Sequence, residues 1–492
     1  MKPAFFEVMI LIEAEINKKY DDGVLKLTNH TNELSAFLSG LQYEDIPADV
    51  IDRAKKLTMH TVGVTLAARD MPCVTRAVST ARDTMGEGGE AQATVWGRHG
   101  KAPLLGAVFV NSTGADTLDW EDCSWTGHPT AGFIPVSLSM AEAMKKPGKD
   151  YLTAVVGGFE VYQRIAGYIQ PPQDWNLGKQ GWGLATWQIF AASMPAGKLM
   201  GCNPEQFNLL IGATGCATTV VDTIIHKQMS DFYHLQFGFT SMNGTMLARM
   251  AKRGELDNLY DILDVEGGYA FMTRGFENEG WLDRNLGTEY MFNEILFKHW
   301  PANMWVQTPL DCLDKLRREH GFTAADIEAI DITPGFQARD GYDPKGYHSV
   351  KHGQFSIPYC LSAYLLRGAP GPGWFSAESL SDPALLDLAG RVHMDREHVM
   401  QLRQCFNTFT GGSFPKVEMT ITLKDGSVLK GELQFPKGHP RNPFDWAECE
   451  NSFRIGAQIA GLGEEKTQRF IQLCEDLENL EDLTELAECL EV

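Results

Sequence analysis

The sequence predicts a mainly α-helical protein that carries an inserted α+β domain. Three observations support this. Helical spacing of apolar residues recurs through the first 292 residues. A strand and a hairpin signature then interrupt it. After PKGHPRNPF the helical pattern returns. The chain therefore divides into an N-terminal extension (1–31), a helical domain (32–292), an α+β insert (293–438) and a helical return (439–492).

In chain order, MKPAFFEVMILIEAEINKK is too interrupted by Glu7, Glu13 and Glu15 to read as a signal peptide, and it is expected to be a helix or an extension. NELSAFLSGLQYEDIPADVIDRAKKLTMHTVGVTLAA repeats apolar residues at three and four, with Asn32 as the expected N-cap and Pro47 suited to the first turn of a second helix. MGEGGEAQATVWGRHG has many glycines but neither GxGxxG before a helix nor GK[ST], so it reads as a turn before a strand-like ATVWG. GKAPLLGAVFVNSTGADTLDW, FIPVSLSMAEAMKK, TAVVGGFEVYQRIAG, TWQIFAASMPAGKLMG and TSMNGTMLARMAKRG read as buried helices. IEAIDITPGF reads as a strand. KVEMTITLKDGSVLKGELQF is a hairpin, because its alternating runs flank the turn dipeptide Asp425–Gly426. FIQLCEDLENLEDLTELAECL reads as an amphipathic helix or helix pair with an acidic outer face.

The formal net charge is -21, which excludes nucleic acid or an anionic membrane as the main partner. No apolar run is long enough to span a bilayer. The ten cysteines are scattered, without CxxC or zinc spacing, and fit reduced thiols in a cytoplasmic protein.

One stretch concentrates chemistry. DTLDWEDCSWTGHPTAGFIP places Asp116, Asp119, Glu121 and Asp122 just ahead of His128, between helices that read as buried. Metal binding, proton transfer and helix capping are all open from the residues alone. The spacing matches no specific metal motif.

In order and spacing, LQYEDIPADVIDRAKKL, NSTGADTLDWED, GHPTAGFIP, GGFEVYQRIAG, GQFSIPYCLSAYLLRG and FPKGHPRNPF resemble segments of the MmgE/PrpD family. That family includes 2-methylcitrate dehydratase, cis-aconitate decarboxylase and iminodisuccinate epimerase. The resemblance runs from about residue 32 to the C-terminus. It implies a helical domain closed by an α+β lid, with the site between them. It also implies a homodimer, a small carboxylate substrate, and chemistry with no organic cofactor and no metal.

The shared chemistry is elimination, decarboxylation or epimerisation beside a carboxylate. Each needs a positioned base and groups that stabilise developing negative charge. The resemblance implies His128 as base or acid, with a pKa naturally near neutrality. It implies Asp119 as its orienting or proton-handling partner, Lys298 as a cation brought from the lid side, and Tyr359 as a group approaching the substrate. Asp122 is a further candidate for substrate binding, and for both Glu121 and Asp122 a solvated or capping role is as open as a catalytic one. The chain also departs from the family pattern. Gly181–Trp182–Gly183 stands where a histidine is usual, Tyr233 followed by His234 where a lysine is usual, and Asn303 and Gln307 where a histidine is common. Lys227 lies upstream and is expected to reach the site only if the loop differs. Trp182, Lys227, Tyr233, His234, Asn303 and Gln307 are therefore the expected substrate-binding set. The lost cations imply a divergent substrate.

Overall fold

The computed structural model describes residues 29–86, 92–124, 126–169, 183–218, 223–265, 267–269, 280–336, 341–400 and 416–492. These residues form a largely helical body and a smaller α+β layer.

The body begins with the helix His30–Gly40. Its N-cap is Asn29 rather than Asn32: the Asn29 carboxamide accepts the Asn32 backbone N–H at 2.9 Å, so the helix starts one turn earlier than the sequence pattern suggested. After Pro47 comes α1 (Ala48–Ala67). A short hairpin, β1 (Ala93–Thr94) with β2 (Lys101–Ala102), encloses the WGRHG turn. Next come α2 (Leu104–Thr117), α3 (Thr130–Ala143), α4 (Gly148–Ile169), α5 (Phe190–Leu199) and α6 (Phe232–Lys252).

Helix α2 is apolar or small nearly all round because it is buried on two sides. Ala107 and Val108 pack into the body core with Leu57, Phe133 and Phe159, while Phe109 and Val110 belong to the core of the α+β layer. The C-terminal end of α2, where Asp116 sits, therefore lies where the two cores meet.

The α+β layer opens with α7 (Met304–His320), which is amphipathic and ends at Gly321 in the left-handed conformation (φ 71°). It includes a four-stranded sheet in the order β10–β9–β5–β7, built from β5 (Ile327–Thr333), β7 (Val392–Met394), β9 (Val417–Leu423) and β10 (Val428–Leu433). β5 and β7 are parallel, and the other pairs are antiparallel. The β9–β10 turn carries Gly426 at φ 87°, as the Asp425–Gly426 signature requires. A second small pair, β6 (Gly335–Phe336) with β8 (Val399–Met400), is parallel. α8 (Val350–Gln354) and α9 (Ile357–Arg367) join the core of this layer, α8 through Val350 and α9 through Ile357, Tyr359 and Leu361.

The chain then returns to the body. α10 (Trp446–Ala460) crosses α1 so closely that a Cβ on Gly456 would lie 1.8 Å from the Gly63 carbonyl oxygen. The acidic C-terminal stretch forms α11 (Glu464–Glu475), a 3-10 turn and a last short helix, Thr484–Glu488. These bury Phe470, Ile471, Cys474 and Leu486 in the body core. Among the described residues, no helix is long and apolar enough to cross a membrane.

Candidate active site

The acidic stretch is a tight turn between α2 and α3. Asp119 adopts a left-handed conformation (φ 50°), which a short polar side chain tolerates, and its N–H donates to the Asp116 carbonyl at 2.7 Å. The reversal points Asp119, Glu121 and Asp122 inward, and all are fully buried. Asp122–Cys123 form β3, which pairs antiparallel with β4 (Leu296–Phe297). That pairing delivers the next residue, Lys298, into the turn. Gly438, in the left-handed region at φ 88°, accepts from the Phe297 N–H at 3.0 Å and braces β4 from behind.

His128 enters from the start of α3. Its Nδ1 lies 2.9 Å from Glu121 Oε1 and 3.1 Å from the Asp122 carbonyl oxygen. Two acceptors therefore face Nδ1 against one donor, the Lys298 ammonium, and they favour a proton on Nδ1, which leaves Nε2 as the basic nitrogen. Lys298 Nζ lies 3.1 Å from Nδ1, 3.8 Å from Glu121 Oε1 and in direct contact with Asp119 Oδ1. Asp119 Oδ1 itself is 3.6 Å from His128 Nδ1. Burial alone would raise the Asp119 carboxyl, but Lys298 and then His128 hold it below the usual range. Burial would lower the Lys298 ammonium, but Asp119 and Glu121 outweigh it and keep the side chain charged. Burial, reinforced by Glu121, pushes Asp122 well above the usual carboxylate range.

Helix α6 closes another side. The Tyr233 and Phe237 rings lie edge-on to His128, each with centroids 6.1 Å away. Tyr233 is fully buried, and among the described residues its hydroxyl has no hydrogen-bond partner. His234 Nδ1 is 2.6 Å from Asp116 Oδ2.

The structure thus brings together His128, Asp119, Lys298, Asp122, Tyr233 and His234. It places other expected residues elsewhere. Tyr359 is buried in the α+β layer, where its hydroxyl donates to the Trp374 carbonyl and its ring lies against Tyr347. Gln307 accepts the His299 and Trp300 N–H groups and donates to the Trp300 and Ala302 carbonyls, so its amide clamps the loop after Lys298. Asn303 is the N-cap of α7 and accepts from the Trp305 N–H. Lys227 is exposed. Trp182 lies outside the described residues.

Sequence reasoning leaves one group undecided and misses two. Glu121, open between capping and catalysis, lies against His128 Nδ1. Asp116 belongs to the cluster through His234. Lys351, from α8, is fully buried, with its ammonium 3.8 Å above the Tyr233 ring centroid and 3.1 Å from His226 Nδ1. The density of acids beside a buried-looking helix was a signal for the first two. Nothing in VKHGQF marked Lys351, whose burial arises from tertiary packing.

Asp116, Glu121 and His128 each offer an atom within 4.8 Å of the others, as metal ligands do. The Lys298 ammonium, however, stands 3.8 Å from Glu121 Oε1 and 3.1 Å from His128 Nδ1, so a cation already adjoins two of these three residues.

Models of the MmgE/PrpD N-terminal domain and of the MmgE/PrpD C-terminal domain match residues 32–280 and 300–479. The chain belongs to the MmgE/PrpD family. Similar members include cis-aconitate decarboxylase of Mus musculus, 24% identical over 482 residues that cover 95% of this chain and 94% of the relative. The Homo sapiens enzyme of the same name is 23% identical, covering 95% of each chain. That of Aspergillus terreus is 24% identical, covering 94% of this chain and 95% of the relative. The family's two-domain, mainly α architecture is the one described above, and membership supports a lyase of the MmgE/PrpD type.

Proposed function

We propose that the protein is a cofactor-independent lyase, a decarboxylase or dehydratase, that moves a proton beside a carboxylate of a small organic acid. The observation that carries this reading is the buried arrangement at His128. Glu121 and the Asp122 carbonyl fix one ring nitrogen, and the Lys298 ammonium stands beside it. A base held in one tautomer next to a fixed cation is the equipment for forming an enolate-like anion. Asp119 balances Lys298 and keeps it charged. Lys351 supplies a second buried cation on the Tyr233 side, which suits an anionic substrate. Because these groups are buried, entry of substrate requires the packed layers around them to part. The names of the relatives favour decarboxylation, and the departure from the family pattern at Tyr233, which adjoins His128, favours a divergent substrate.

A second reading, an epimerase, is favoured by one observation. Two histidine–carboxylate pairs adjoin, and epimerisation needs two proton-handling groups. One screen separates the readings: proton NMR in deuterated water of the protein with di- and tricarboxylic acids, including cis-aconitate, and their amides. A lyase gives a new carbon skeleton or new vinyl signals. An epimerase gives solvent deuterium in recovered substrate with no new skeleton. No change with any acid would contradict both.

A further inference from the structure

His234 and Asp116 form a second imidazole–carboxylate pair that the proton chemistry of His128 leaves unused. Both side chains are fully buried, with Nδ1 and Oδ2 2.6 Å apart. Asp116 stands at the end of α2, one turn before Asp119, and its carboxylate offers an oxygen within 4.8 Å of atoms on both Glu121 and His128. The two pairs are therefore neighbours. Tyr233 adjoins both histidines, with its ring 6.1 Å from that of His128 and 5.3 Å from that of His234.

The pairs differ in charge. Burial, then Glu121, pushes Asp116 well above the usual carboxylate range. Burial also lowers His234, and Lys351 adds to this, while Asp231, Asp119 and Glu121 oppose it. A protonated Asp116 donates to Nδ1, so the neutral ring carries its own proton on Nε2. Among the described residues, that Nε2 has no hydrogen-bond partner. A buried N–H without a partner is costly, and a catalytic role is one of the explanations such a group calls for.

We propose that His234, backed by Asp116, is the proton donor of the site, opposite in role to His128. The proposal rests on the lyase reading above. In a dehydration, His128 Nε2 takes the C–H proton and the C–H electron pair becomes the C=C bond. The hydroxyl then departs as water with the Nε2 proton of His234. In a decarboxylation, the C–C electron pair left when carbon dioxide departs is captured by that same proton, forming the new C–H bond. In both cases the Asp116 proton moves to Nδ1, and the pair keeps one negative charge until a water molecule reprotonates it.

Two measurements on the full chain test this. The first needs no substrate. Long-range proton–nitrogen spectra are recorded on chain labelled with 15N-histidine, and the His234 signals are identified by their loss in His234→Gln. Near neutral pH the expected state is a bare Nδ1 and a protonated Nε2. A bare Nε2 would overturn the donor role whatever the reaction proves to be. The second uses an acid from the screen that the wild-type protein converts. His234→Gln and Asp116→Asn should each lower kcat at least about 100-fold and remove the fall of kcat at high pH, with KM little changed. Wild-type kcat with an unchanged high-pH limb in His234→Gln would overturn the proposal. Asp116→Asn, close in shape to the native residue, serves if His234→Gln does not fold. Failure of every acid with the wild-type chain would count against the lyase reading alone, and the nitrogen spectra would then decide the state of the pair.

Discussion

Glu121 Oε1 lies 2.9 Å from Nδ1 of His128, whereas the nearer oxygen of Asp119 lies 3.6 Å away and contacts Lys298 instead. The two acids thus divide their work. Glu121 sets the ring's tautomer and orientation, and Asp119 neutralises the buried lysine. Glu121→Gln should leave the fold intact and lower kcat about 100- to 10,000-fold, the range for disabling a positioned acid–base group. Circular dichroism and steady-state rates check both parts. Near-wild-type kcat would mean that Glu121 does not govern His128.

Lys298 carries a stability prediction besides its place beside His128. Lys298→Met would leave the Asp119 and Glu121 carboxylates fully buried without their cation. Breaking a buried pair from one side costs about 3–5 kcal/mol. Urea unfolding should show a loss of that order, and the double variant Lys298→Met/Asp119→Asn should regain part of it. Equal stability of the single variant and the wild type would contradict a buried ion pair at this position.

Gln307 offers a test between binding and scaffolding. Its amide makes four hydrogen bonds to the backbone of residues 299–302, directly after Lys298. Gln307→Leu should cost about 4 kcal/mol at about 1 kcal/mol per bond, and should lower kcat through displacement of Lys298. A substrate-binding glutamine would instead show a raised KM at unchanged stability.

His60 predicts an acid limb in stability. It is fully buried on α1, 3.0 Å from the Trp120 carbonyl oxygen and stacked on Phe297, and burial lowers its pKa from 6.5 to about 4. Below 6.5 the unfolded chain protonates this ring while the folded chain keeps it neutral. The unfolded state therefore takes up the proton, and stability falls as pH drops from 6.5 toward 4. One such group contributes about 3 kcal/mol over that span. His60→Gln should flatten this part of a melting-temperature profile relative to the wild type. Parallel profiles would show that His60 titrates normally.

Much of the fold was legible because it follows local rules. The β9–β10 hairpin is carried by Asp425–Gly426, β5 by its alternation, and the buried helices by their small and apolar composition. The start of the first helix lies one turn earlier than its pattern suggests, since Asn29 and Asn32 are both competent caps and only the backbone decides between them. In the site, His128, Asp119 and Lys298 could be read because the family resemblance names their positions. Glu121 was ambiguous, because an acid after Trp120 looks the same in sequence whether it faces solvent or a histidine. Tyr359 and Gln307 were assigned to the substrate on motif position, but their polar atoms are taken up by backbone partners that no sequence pattern displays. Lys351 and the pairing of His234 with Asp116 join segments more than a hundred residues apart, so they emerge only once α6 and α8 pack against the turn after α2.

The central claim is that buried His128 performs the proton transfer. Its most direct test is turnover of the best acid from the screen by His128→Ala, with circular dichroism and thermal melting as controls on the fold. The predicted result is loss of turnover by at least about 100-fold in a protein that melts as a folded chain. Turnover at the wild-type rate in that variant would contradict the account.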